Sequence, residues 1–150
     1  MEVVYVDTSV FGGIFDKEFS KFSGKLLETF KKGERKMMLS DLVVEELKGA
    51  RQEVRLQVQA VPLRFRIMTS HSLKAYALAA SYITKGALTI RSKEDALHIA
   101  TATLQSADYV ASWNFKHMAN TDKNKIINQI NKEWGFRTIR IRTPYEILNP

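Results

Sequence analysis

Asp7 closes the run Val3-Val4-Tyr5-Val6 and is followed by two hydroxyls, Thr8 and Ser9, and then by Gly12-Gly13. Such a β-branched and aromatic run predicts a strand. The sequence therefore delivers a carboxylate to a strand's carboxyl end, where open α/β sheets bind ligands. Two more acids are placed for chemistry. Val43, Glu46, Leu47 and Ala50 fall at i, i+3, i+4 and i+7, so Glu46 lies within an apolar stripe. Glu45 instead shares the solvent face with Asp41, Lys48 and Gly49. A carboxylate on a buried stripe is costly unless it is paired or bound to a cation. Asp95 stands in the first turn of a helix expected over residues 92–102, where Ala96, Ala100 and Ala102 allow close packing on a sheet. Converging carboxylates repel, so a site holding these acids ionised implies a divalent cation. A cation of that kind can acidify water and offset charge developing on a phosphate.

Each acid also has a purely structural reading. Asp7 could cap the next helix, as Asp, Thr and Ser all do. Asp95 has capping-box spacing with Ser92 and suits the helix dipole. His98, one turn beyond Asp95, is by default a packed or hydrogen-bonded histidine.

Bulk composition narrows the chemistry. The 150 residues suit one domain with a real core. There is no cysteine, so a metal must sit on oxygen ligands or on one of only three histidines, which favours a hard cation such as Mg2+ or Mn2+. The net charge of +7 suits either a polyanionic partner or a surface charged only for solubility. No apolar run approaches the ~20 residues of a membrane span, and Met1 leads directly into a strand, so a cytoplasmic protein with no membrane contact is expected.

The elements that must position these residues follow from periodicity. Phe19, Phe22, Leu26 and Phe30 mark an amphipathic helix ended by Gly33, and a basic turn leads to a strand at Met37-Met38-Leu39. Ser40-Asp41 reads as a helix start, and residues 51–60 continue as a polar helix ended by Pro62. Leu63, Phe65 and Ile67 alternate with Arg64 and Arg66, which predicts a short strand. Leu73, Tyr76, Ala77 and Ala80 mark a further helix, finished by Gly86. A strand over residues 108–113 ends, like the first, at small polar side chains. A last helix over 123–134 carries Ile126, Ile127 and Ile130, and a final strand spans 137–141. This alternation argues for an α/β sandwich with a largely parallel sheet.

With those pieces in order, the sequence resembles the PIN domain family, small metal-dependent ribonucleases that include VapC-type toxins. The resemblance rests on Val4-Tyr5-Val6-Asp7-Thr8-Ser9, on the Ser40 to Leu47 segment with Glu46-Leu47, on Asp95-Ala96-Leu97-His98-Ile99-Ala100, and on Ala107-Asp108-Tyr109-Val110-Ala111-Ser112-Trp113-Asn114. It implies a single three-layer α/β/α domain over 1–150, with Asp7, Glu46 and Asp95 at the metal positions and Thr8 or Ser9 at the hydroxyl position. Asn114 falls where the family often has a further Asp; it can offer an oxygen or orient water but adds no charge. Asp108 precedes its strand and should lie at the far end. The implied activity is Mg2+- or Mn2+-dependent endoribonuclease, as the toxin of a type II toxin–antitoxin pair. RNA is then the substrate, a cognate antitoxin the partner, and a homodimer the assembly. Lys116 and His117 are candidates for phosphate contacts. The alternative is a PIN-like module that binds RNA or protein, its nuclease activity weakened by Asn114. A haloacid-dehalogenase-type phosphatase with Asp7 as nucleophile would want a second Asp where Ser9 stands.

Overall fold

Val4, Tyr5 and Val6 of the first strand, β1 (Val3–Val6), are consecutive and all fully buried. Successive strand residues point to opposite faces, so both faces of the sheet are covered. The computed structural model describes residues 1–114 and 121–150. In it β1, β2 (Lys36–Ser40), β3 (Arg66–Thr69), β4 (Tyr109–Ala111) and β5 (Arg140–Arg142) form one sheet in the order β3-β2-β1-β4-β5. Every pairing is parallel. Tyr5 sits at the centre, in register with Met38 on one side and Val110 on the other. Helices cover both faces in the three-layer arrangement that the sequence implied. The chain builds outward from β1 to β3 and then returns to place β4 on the other side of β1. That reversal opens a crevice at the carboxyl ends of β1 and β4.

The helices are α1 (Thr8–Gly13), α2 (Ser20–Lys31), α3 (Asp41–Leu47), α4 (Gln52–Gln59), α5 (Leu73–Thr84), α6 (Lys93–Leu104), α7 (Thr121–Glu133) and α8 (Pro144–Leu148). Ser40 caps α3 by accepting a hydrogen bond from the Val43 amide, which is the start the sequence predicts. Gly12-Gly13 does not break the chain but lies inside α1. A Cβ on Gly13 would come within 2.8 Å of both Ser23 Oγ and Trp113 Nε1. Its glycine thus serves a close helix approach rather than a turn.

Several expectations are corrected. Leu63–Phe65 is a 3-10 turn, and the strand begins only at Arg66. Leu63 is 77% exposed, while the Phe65 ring fills the space a side chain on Gly33 would need, and Gly33 itself has a φ of +75° that suits glycine. The helix α5 presents the opposite face from the one expected. Leu73 and Tyr76 are 88% and 49% exposed, and Ala77 and Ala80 are exposed with them. Ala75, Leu78, Ala79 and Tyr82 are buried instead. Both sets have helical spacing, because α5 is apolar nearly all round and periodicity alone cannot choose between them. The last strand starts at Arg140 rather than 137. Just before it, the Ile139 amide donates to Asn128 Oδ1 (2.7 Å), and the Ile139 carbonyl accepts from Asn124 and Asn128 of α7. Two amide side chains thereby occupy backbone groups of the segment leading into β5, an outer strand of the sheet. Finally, α8 follows the strand expected to be last. Its signals are in the sequence: Thr143 and Glu146 form a capping box, with Pro144 at the first turn.

No helix among the described residues is long and apolar enough to cross a membrane.

Candidate metal centre

Asp7 directly follows β1 and is still held by the sheet, its amide donating to the Ala111 carbonyl at 3.0 Å. It occupies the cap position of α1, yet its side chain makes no capping hydrogen bond. The carboxylate instead receives Ser9 Oγ at 2.8 Å and Ser112 Oγ at 3.0 Å, both on Oδ2. Those hydroxyls are themselves fixed, since Ser9 Oγ accepts from the Trp113 amide and Ser112 Oγ from the Asn114 amide, each at 3.0 Å. Asp7 is thus clamped through one oxygen, with Oδ1 toward His98 Nε2 at 3.9 Å. The small polar residues that end β1 and β4 meet at this clamp.

Glu46 comes to the same place from the side of α3. Its helical phase is as expected: Oε1 accepts from Thr8 Oγ1 at 3.2 Å and lies 2.8 Å from His98 Nε2. Glu45 points away and pairs with Lys48 in solvent. The expected burial is corrected, because the Glu46 side chain is 39% exposed. Glu46 stands at the exposed edge of the cluster, while Val43 and Leu47 on either side of it are buried.

Behind Glu46, His98 is only 2% exposed. Its Nδ1 meets the Tyr5 hydroxyl at 2.5 Å, and that hydroxyl meets Ser40 Oγ at 2.7 Å. Burial pushes the Tyr5 hydroxyl far above its ordinary pKa, so the phenol keeps its proton. The default reading of His98 as a hydrogen-bonded histidine holds, but its bonds run into the acid cluster.

Asp95 is half-buried on the first turn of α6, and Ser92 makes no side-chain capping bond there. The carboxylate accepts from Asn114 Nδ2 at 2.9 Å. Among the described residues, one group of three donors lies within 4.8 Å of one another, namely Asp7, Glu46 and His98. Asp95 is outside that trio, although its charge reaches His98. Asp108 lies at the opposite end of the sheet, as expected, where Oδ2 accepts from the Val3 amide. Lys116 and His117 fall outside the described residues. No local pattern in the sequence marks Tyr5, Ser112 or the Nε2 side of His98. The nearest signals are the polar end of β4 and the one-turn spacing from Asp95 to His98.

Electrostatics tie the cluster together. Burial opposes charge on His98, but the Glu46 hydrogen bond and the charges of Asp7, Glu46 and Asp95 hold its pKa above the ordinary 6.5. The His98 hydrogen bond pulls Glu46 below its ordinary 4.5, against partial burial and with help from the His98 charge and Thr8. A raised histidine stabilises the fold below its unfolded pKa and ceases to as pH rises through the folded one. A lowered glutamate does so above its unfolded pKa and ceases to as pH falls through the folded one. With chelator present, the pair therefore contributes most between about pH 4.5 and 6.5. We expect NMR titration of the His98 ring to show a midpoint above 6.5, moved down by Glu46→Gln. A midpoint below 6.5 that ignores the substitution would contradict this electrostatic picture.

The donor set fits a divalent cation. Ligands at about 2.1 Å in octahedral geometry place neighbouring donors about 3 Å apart and opposite ones about 4.2 Å apart. The 2.8 Å and 3.9 Å separations at His98 Nε2 span nearly that range. The clamp on Asp7 fixes one acid, and Glu46 is held at the exposed side by Thr8 and His98.

No protein-family model matches the chain, and no curated protein matches it. Solved structures do. VapBC2 from Rickettsia felis, bound to a DNA fragment from its promoter, is 14% identical, covers 94% of this chain and 98% of that one, and has a TM-score of 0.58. VapC20 from Mycobacterium tuberculosis, a sarcin–ricin loop cleaving toxin, is 13% identical over 91% and 98%, with a TM-score of 0.57. FitAcB from Neisseria gonorrhoeae is 16% identical over 95% and 98%, also at 0.57. These likenesses run nearly end to end and bear out the PIN-like fold. A shared fold does not by itself assign a reaction.

Proposed function

We propose that this chain is a cytoplasmic endoribonuclease dependent on Mg2+ or Mn2+, acting as the toxin of a type II toxin–antitoxin pair. The observation that carries the reading is the meeting of Asp7, Glu46 and His98 donors at the carboxyl ends of β1 and β4. The fold adds support, since VapC20 is a toxin that cleaves the sarcin–ricin loop. Asp7 and Glu46, with Asp95, would hold the cation. When bound, a divalent ion there lowers the pKa of water and offsets negative charge on a phosphodiester.

The chain's own residues do the positioning. Ser9 and Ser112 fix the orientation of Asp7, so its free oxygen is preorganised rather than rotating. Thr8 steadies Glu46 at the rim. Asn114 turns Asp95 by its amide. The net charge of +7 draws RNA toward the cleft. A protein partner is supported by the outward apolar face of α5, where Leu73 and Tyr76 are exposed. This face, with the groove lined by Tyr76, Ala80, Ile83 and Leu97, suits either an antitoxin or a second copy of the chain.

Asn114 gives the second reading its one specific support, because a neutral amide stands against Asp95 where another carboxylate would add charge. Asn114→Asp should therefore lower the melting temperature in chelator, by carboxylate repulsion, and gain more from added Mn2+ than the wild type does. An equal response to Mn2+ in both proteins would place residue 114 outside the centre. The function itself is tested by mass analysis of oligoribonucleotides incubated with purified protein and Mn2+. Hydrolysis adds one water per cut and leaves no 2′,3′-cyclic phosphate. Cyclic ends would refute attack by water, and binding without any cleavage would favour the second reading.

A further inference from the structure

We infer that His98 is itself a ligand of the cation site, through Nε2, which makes the centre a mixed carboxylate–imidazole site rather than an all-oxygen one. This rests on the cation-dependent reading above and goes beyond the acids it named. The ring is buried in α6 and aimed at the cluster, with Nε2 2.8 Å from Glu46 Oε1 and 3.9 Å from Asp7 Oδ1. It is thus one of the three mutually close donors, whereas Asp95 is not.

The far side of the ring is built for the task. A ligating histidine needs its other nitrogen to donate, which fixes the tautomer and raises its basicity. Here Nδ1 faces the Tyr5 hydroxyl, and Ser40 Oγ stands beyond it, also accepting from the Val43 amide. The Tyr5 hydroxyl can donate to Ser40 Oγ and accept Nδ1–H on its oxygen. Ser40 then has both lone pairs used, by Tyr5 and by Val43. Without a cation the same ring donates Nε2–H to Glu46 instead. The Tyr5–Ser40 pair can therefore meet His98 Nδ1 as an acceptor with a cation bound and as a donor without one.

An imidazole among the donors favours Mn2+ over the harder Mg2+. The decisive test uses the His71→Gln/His117→Gln protein, in which His98 is the only histidine of the three. Pulsed EPR of that protein loaded with Mn2+ should show nitrogen modulation from a coordinated imidazole. His98→Gln in the same background should lose it, and should weaken Mn2+ binding about 10- to 100-fold while changing Mg2+ binding much less. Bound Mn2+ without nitrogen modulation would overturn the inference and leave the acid centre standing. No Mn2+ binding at all, at millimolar ion, would overturn both. The first measurement needs no change at residue 98, so a variant that fails to fold there does not affect it.

Discussion

Asp7→Asn should reduce RNA cleavage by at least about 10²- to 10³-fold while leaving the protein folded. Asp7 is the acid most firmly held, with Ser9 and Ser112 on one oxygen and its backbone in the sheet. Asparagine keeps the shape and can still accept on its carbonyl oxygen, but it removes the charge that a cation needs. Stability should be unchanged or raised in chelator, because one negative charge leaves a cluster that also holds Glu46 and Asp95. Thermal unfolding and cleavage measured on the same preparation separate the two effects. A variant that unfolds would show Asp7 to be structural, and one that cleaves like wild type would remove Asp7 from the centre.

The next largest effect is expected from a neighbouring pair. Glu46→Gln should weaken Mn2+ binding and cut cleavage by on the order of 10²-fold, whereas Glu45→Gln should leave both nearly unchanged. The structure separates the two cleanly. Glu46 reaches Thr8 and His98, and Glu45 pairs with Lys48 at the surface. Exposed pairs of that kind contribute little. Calorimetric titration of Mn2+ into both variants decides it, and equal losses would remove Glu46 from the centre.

The sheet and its acids were legible because parallel strands covered on both faces leave continuous apolar runs. Val3 to Val6 and residues 109–111 are such runs, and each ends at polar side chains that the topology then brings together. The phase of Glu46 could also be read, since Val43 and Leu47 bracket it and both are buried. Its exposure could not, because a helical stripe looks the same whether it faces core or cleft. The face of α5 was misassigned for a related reason, as a helix apolar on both sides offers two equally spaced stripes. His98 was hidden by its surroundings. Every residue from Ala96 to Thr103 in α6 is buried, so no contrast along the helix marks the one side that meets Asp7 and Glu46. Tyr5 was hidden likewise, reading as one more strand former until Ser40 and His98 close on its hydroxyl. Such contacts join residues 35 and 93 positions apart, and no local pattern encodes them.

The most direct measurement is cleavage of total RNA by the purified wild-type protein in Mn2+, in Mg2+ and in EDTA, alongside Asp7→Asn prepared identically. A cation-dependent ribonuclease built on this centre cuts RNA in Mn2+ or Mg2+, stops in EDTA, recovers when Mn2+ is restored in excess, and is silent as Asp7→Asn. Cleavage that persists in EDTA, or that the variant performs equally well, would contradict it.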